Sequence, residues 1–333
     1  DHPMRRRVKP WVALTLFLVV GPVVSRAAVA ADGAVLRSNY SGISAGFVPV
    51  WIAYDKGLFT KHGLNIDLQY IAPATATQGL LAKSLDVVNP GGEIIEAALS
   101  GEPVVYMAGV LNRAVLSIYS KPELKSLADL KGKTIAVTVP GSTTDFTARI
   151  MLQQVGLTAG KDVKILYLKG QPQILQGVQQ GHAEAGIFSS PTTLKAGHAG
   201  LKELVNITEK NVPMIHAAFA STREFMKGQR DQVRRFMQGY IEGIKVARND
   251  PELAKQVIAK YTKTDDKQDL DDSYKTNFSA WERAPYVSLP AVQTMLNFAN
   301  HPAGKSAKPE QFVDNSVIAE LEKSGFIDRL YKQ

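Results

Sequence analysis

Apolar and polar positions repeat one pattern twice in the 190 residues after position 34. The first copy predicts an apolar strand over 35–40, a small-residue loop over 41–46, and a helix from 49 to 62. Val48, Trp51, Ile52, Leu58 and Phe59 share one face of that helix. Gly63-Leu64 ends it, an alternating strand covers 66–71, a helix covers 75–83, and a short strand covers 85–88. The second copy predicts a strand over 134–139, a loop over 140–143 and a helix over 144–155. Gly156-Leu157 stops that helix; a strand (163–168), a helix (172–180) and a short strand (185–188) follow. Each copy reads β-α-β-α-β, which implies right-handed crossovers and a mostly parallel sheet covered by helices on both faces. Thr75-Ala-Thr-Gln78 and Ser142-Thr-Thr-Asp145 have the spacing of a capping box or its carboxylate variant.

The last 110 residues follow a helical period instead. Ser221-Thr-Arg-Glu224 is a further capping box, and Val233, Phe236, Met237, Tyr240, Ile241 and Ile244 form an apolar stripe. Asp250-Pro251 opens another helix as N-cap and first-turn proline. More helix is predicted over 266–282, 289–298 and 316–324, with 300–308 as a surface loop. Two short strand-like segments, 114–120 and 215–220, join the repeats. If both pass between the same two lobes, the second lobe (122–214) is inserted into the first (31–121 and 215–333). Two crossings then form a hinge beneath a cleft.

Charge changes this picture little. The chain has 333 residues, 39 Lys and Arg against 31 Asp and Glu, and a net charge of +8. Five of the basic residues lie before position 31, around an apolar run from Trp11 to Val24 that ends near Ala28-Val-Ala30. This is the layout of a secretory signal peptide cleaved after Ala30, with Asp1-His2-Pro3 as the scar of a tag ahead of Met4. The run is about 14 residues, shorter than the roughly 18 a membrane span needs. The remaining chain would carry 34 basic and 30 acidic residues, a net +4, which gives no support to nucleic-acid binding. The chain has no cysteine, which removes disulfides, cysteine-ligated metals, a thiol nucleophile and a lipid-attachment cysteine. A soluble, exported monomer is expected.

Reactive motifs are weak. Gly42-Ile-Ser-Ala-Gly46 matches a hydrolase elbow with Ser44 as nucleophile, but it follows the first strand, and Pro49 delays the helix. Gly132-Lys133-Thr134 lacks the earlier glycine of a phosphate loop and precedes a strand. Six histidines are scattered without ligand spacing, and no metal or cofactor is expected. What remains is geometry. In open parallel sheets ligands bind beyond the carboxyl ends of strands. Here those positions are the loops 41–47, 89–93 and 109–113 in the first copy, and 140–145 and 189–192 in the second. They are rich in small and hydroxyl side chains, which suits binding rather than proton transfer.

Val48-Pro-Val-Trp-Ile-Ala-Tyr-Asp-Lys-Gly-Leu-Phe59, His62-Gly-Leu-Asn65, Asp129-Leu-Lys-Gly-Lys-Thr134, Pro140-Gly-Ser142 and Gly325-Phe-Ile-Asp328 occur in order. This set resembles the periplasmic substrate-binding proteins of ABC importers, in the nitrate/sulfonate/taurine and thiamine-pyrimidine precursor branch. The resemblance implies the type II periplasmic binding protein fold, α/β, with two βαβαβ lobes, a hinge and a helical C-terminal tail packed on the first lobe. It implies a small-molecule ligand and, as partner, an importer permease in the inner membrane. Carried over by position, the ligand residues are Ser41, Ser44, Phe47, Gly91, Gly92, Glu93, Asn112, Ser142, Thr143, Asp145, Ser189 and Ser190, with Trp281 as a stacking wall. Glu93 and Asp145 disfavour a simple anion, and Arg113 and Arg149 are the nearest counter-charges. The segment Leu81-Ala-Lys-Ser-Leu-Asp86 lacks the glycine usual in this family. The related fungal pyrimidine synthases are enzymes that depend on a cysteine-rich motif, absent here. A sensor or scavenger of the same fold, or a hydrolase using Ser44, are the other classes weighed.

Overall fold

The computed structural model describes residues 33–332, which form one compact unit. The expected signal peptide and tag scar lie outside the described residues. Among the described residues nine strands fall in two groups. β1 (Leu36–Tyr40), β2 (Ile66–Tyr70), β3 (Val104–Arg113) and β9 (Pro213–Thr222) make the first. β4 (Ser117–Ser120), β5 (Thr134–Val137), β6 (Lys164–Tyr167), β7 (Ala185–Phe188) and β8 (Lys202–Asn206) make the second.

In the first group β1 pairs parallel with β2, Leu36 facing Ile66 and Tyr40 facing Tyr70. β3 pairs antiparallel with β9. Two bridges join these ladders, Val87 to Ser38 in parallel and Val88 to Ala220 antiparallel. The expected strand 85–88 is therefore reduced to single bridges. The N–H groups of Asp86 and Val87 both turn to Arg37 O, and Asn89-Pro90 then leads the chain away. The second group is a continuous sheet in the order β6-β5-β7-β4-β8, with β4 antiparallel to both its neighbours. Both groups share a plan: two parallel strands, a third, then an antiparallel pair. The chain leaves the first group through β3 and returns through β9.

The sequence reading missed β3 and β8. The stretch Val-Val-Tyr-Met-Ala-Gly-Val-Leu in β3 is buried at every position, so it lacks the alternation that marks a half-exposed strand. The expected loop 109–113 is consequently the end of β3 and not a loop.

Helix boundaries moved where backbone chemistry overrode periodicity. The helix expected over 49–62 is preceded by a 3-10 turn (Ala45–Phe47) and splits into Val48–Asp55 and Leu58–Lys61. Gly57 between them adopts φ 64°, a left-handed conformation that ends a helix at little cost to glycine. The helix expected over 75–83 is Pro73–Leu81, and its N-cap Ala72 makes no side-chain bond, so the Thr75 box does not form. Thr222, one residue past the expected Ser221, caps the next helix; Ser221 Oγ donates to Asp86 O. Ser142, Asp250, Asp266 and Ser288 each accept from the N–H three residues on. Within 300–308, Pro302–Lys305 forms a 3-10 turn. In the segment that lacks the family glycine, Lys83 takes φ 59°.

The tail helices, led by Arg230–Asn249, cover the first group of strands. Trp51, Phe59, Phe219, Phe236 and Tyr240 make that core. A second cluster spans both groups and holds Val88, Ile94 and Tyr106 together with Ile135, Phe146, Ile187 and the tail residue Met295. A third, around Ile174 and Phe188, lies on the second sheet alone. Each fully buried side chain of this size contributes about 1.5–3 kcal/mol of transfer free energy.

Candidate functional site

The loops that follow β1 and β7 touch. Ala45 N–H donates to Ser190 O at 3.1 Å, and Asn277 Nδ2 of the tail donates to Ser190 Oγ at 2.9 Å. A second contact joins the helix after β5 to the returning strand, with Thr143 Oγ1 donating to His216 O at 2.8 Å. Three of the five expected loops therefore take part in contacts between the strand groups.

On the first side the loops are tied by two buried asparagines that sequence reasoning missed. Ser41 Oγ donates to Asn89 Oδ1 at 2.7 Å, and Asn89 N–H donates to Asn39 Oδ1 at 2.8 Å. Ser44 Oγ accepts from Gly46 N–H at 3.3 Å and caps the 3-10 turn. This is a cap rather than a nucleophile elbow, and among the described residues no histidine bonds it. Phe47 is buried, its ring centroid 6.2 Å from that of Trp51.

Gly91 and Gly92 are there because nothing larger fits. A Cβ on Gly91 would lie 2.4 Å from Thr143 Oγ1, and one on Gly92 would lie 2.5 Å from Phe146 and 2.8 Å from Met295. Glu93 begins the helix Glu93–Leu99, and its Oε2 accepts from Gly91 N–H at 2.8 Å. Its Oε1 is shut off from solvent and has no partner. Burial pushes this carboxyl up to about 7.

On the second side the polar groups are satisfied. Ser142 Oγ caps its helix and accepts from Thr138 Oγ1. Asp145 is buried; Oδ2 accepts from Gly141 N–H at 2.9 Å, and Oδ1 accepts from Arg149 Nε and Tyr167 Oη, each at 3.2 Å. Ser189 is bracketed by Gln171. Asp145 thus presents no free charge, and Arg149 is occupied in balancing it. Arg113 donates to Asn211 Oδ1 and Ser279 Oγ, and its Nε is buried without a partner.

Two expected residues turn away from the junction's open chemistry. Asn112 donates to Tyr286 O at 2.7 Å and to Glu282 Oε1 at 3.1 Å and accepts from Ser288 N–H, which ties β3 to the tail. Trp281 is 1% exposed and donates to Gly46 O at 3.2 Å. It is packed as core behind the first loop rather than displayed as a stacking wall.

His216, passed over as one of six scattered histidines, sits at the crossing. Its Nδ1 accepts from Val115 N–H at 3.1 Å, which leaves the proton on Nε2. Burial holds its pKa down to about 4, so the ring stays neutral. Two open cavities, of about 540 and 420 Å³, lie elsewhere and include none of these residues. Among the described residues no cluster of acids and histidines could hold a metal ion, and no helix is long and apolar enough to cross a membrane.

A Brucella abortus protein named as a binding protein is 27% identical over 271 residues, covering 79% of this chain and 80% of its own. The periplasmic aliphatic sulphonate binding protein SsuA of Escherichia coli superposes with TM-score 0.65 at 19% identity, over 86% of this chain and 96% of its own. The periplasmic nitrate-binding protein NrtA of Synechocystis superposes with TM-score 0.71 at 15% identity, over 87% and 88%. Those likenesses establish the periplasmic binding protein fold. The model of the family described as NMT1/THI5 like matches residues 44–254, well over half the chain, and this protein belongs to that family.

Proposed function

We propose that this protein is a periplasmic solute receptor that takes up a small polar organic ligand between its two strand groups and delivers it to an ABC-importer permease. The observation that carries the reading is the meeting of strand-end loops from both sides, Ala45 on Ser190 and Thr143 on His216. A ligand held there contacts both sides only when they are closed, so its binding energy favours the closed form. Lobe boundaries are drawn where the chain changes sheets, near 114–116 and 207–212. Ligand contacts come from Ser41, Gly91, Gly92, Glu93, Thr143 and Ser190, with His216 added as a fixed N–H donor. Ser44, Phe47, Asn112, Ser142, Asp145, Ser189 and Trp281 shape and brace these loops.

The test is a melting-temperature screen of the purified protein against sulfonates, aromatic acids, pyrimidines and amidines, followed by small-angle scattering. A binder raises the melting temperature with its excess over Kd and reduces the radius of gyration. If no compound of these classes stabilises the protein and scattering shows no compaction, the receptor reading fails.

A further inference from the structure

We infer that Glu93 sets the ligand class at this junction, selecting nitrogenous cations with N–H donors (amidines, guanidines, protonated amines) over sulfonates, carboxylates and nitrate. This rests on the receptor reading above.

Three observations converge on Glu93. Its Oε1 is buried with no partner, and Oε2 accepts from Gly91 N–H. A buried carboxylate oxygen without a donor is costly, and a ligand N–H that reaches it removes the cost. Next, the carboxylate lies where both sides meet. An atom built on Gly91 would be 3.4 Å from Glu93 Oε2, 3.4 Å from His216 O and 2.4 Å from Thr143 Oγ1. The His216 carbonyl and the Thr143 hydroxyl add oxygen acceptors around the same point. Finally, no basic side chain is bonded to this acid. Arg149 is paired with Asp145, the side-chain bonds of Arg113 go to Asn211 and Ser279, and the neutral Tyr106 Oη donates to Gly91 O. Among the described residues no Lys or Arg forms an ion pair with Glu93. Above about pH 7, where Glu93 is ionised, an anion entering here meets oxygen acceptors and a carboxylate with no cation bonded to it; a cation meets its complement.

The rise of the Glu93 carboxyl to about 7 agrees with an acid that is buried and unpaired. A bidentate N–H donor is the natural partner for two carboxylate oxygens, one of which is already half engaged.

The experiment is calorimetric titration of the purified protein with charge-swapped probes of matched size. The pairs are benzamidine against benzoate and benzenesulfonate, and methylguanidine against methanesulfonate, with agmatine as a longer cation. At least one cation is expected to bind at least tenfold more tightly than its anionic counterpart, and Glu93→Gln is expected to weaken it at least tenfold. If an anion binds more tightly and compacts the protein, the receptor reading stands and the assignment to Glu93 is overturned. If a cation binds but Glu93→Gln leaves its affinity unchanged, the assignment is also overturned. If no probe of either charge binds or compacts the protein, both readings fall. The comparison between probes on the unmodified protein decides the matter even where the variant does not fold.

Discussion

The acid on the second side of the junction, Asp145, has Gly141 N–H, Arg149 and Tyr167 around its carboxylate, whereas the acid on the first side, Glu93, has one N–H. The loops after the third strand of each group differ in the same way. After β7, Ser189 and Ser190 are held by Gln171 and Asn277; after the Val87 and Val88 bridges, the chain runs through Pro90-Gly-Gly into an unpaired carboxylate. One side is a finished scaffold. The other keeps polar capacity in reserve and is braced from behind by the tail.

The largest effect that would sharpen the comparison comes from the brace. Trp281→Ala empties a core position and removes the bond to Gly46 O, so it should lower stability by about 3–5 kcal/mol, read by chemical denaturation. A loss below about 1 kcal/mol would mean that the first loop holds itself.

Next is the pH profile of stability without ligand. Glu93 stays protonated in the folded protein up to about pH 7 but ionises near its ordinary 4.5 when unfolded. The folded state therefore binds more protons between those values. Stability is full at low pH and falls as pH rises through about 7, by roughly 2–3 kcal/mol. His216 acts in the opposite sense. It is neutral when folded down to about pH 4 and protonates below about 6.5 when unfolded, so its contribution is lost as pH falls through that window. The acid faces Gly91 N–H, Tyr106 and Thr143; the imidazole faces Val115 N–H. The two windows overlap and oppose each other, so melting scans should show a rise in stability with pH between about 4 and 6.5 uncovered in Glu93→Gln and a fall between about 4.5 and 7 uncovered in His216→Gln. A profile unchanged in both variants would remove the first side's polar reserve from the account.

Asp145→Asn tests the finished side. Gly141 and Tyr167 keep a bonding partner but Arg149 loses its counter-charge, so a loss of about 1–2 kcal/mol is expected by denaturation. A larger loss than in Trp281→Ala would reverse the assignment of scaffold and brace.

The smallest effect lies at the rim, where His198 of the second side meets Asp269 of the tail at 3.0 Å. That bond holds the exposed imidazole above its ordinary pKa, so its contribution is present at low pH and lost as pH rises. His198→Ala should lower the melting temperature slightly at pH 5.5 and not at pH 8.5. An equal change at both would show that the contact is packing rather than charge.

Much of this organisation was legible in residues alone. The doubled βαβαβ pattern, the amphipathic tail and the caps at Ser142, Asp250 and Asp266 are written in local spacing, and local spacing survives folding. β3 was not legible, because a strand buried at every position has no period to detect. The buried Asn39 and Asn89 were equally hidden, since each is explained only by a partner about 50 residues away.

The sequence by itself determined the repeat, the helical tail and most of the loops that carry small and hydroxyl residues, because turn chemistry and hydrophobic period act over a few neighbours. It also removed thiol chemistry outright. Only the tertiary structure decided which acid is free. Asp145 and Glu93 look alike in a chain, each near a helix start beside glycine and serine or glycine alone. The helix sets Arg149 four residues beyond Asp145 and folding adds Tyr167, whereas folding brings no cation to bond Glu93, and a carboxylate's role follows from the donors within 3 Å or so of it.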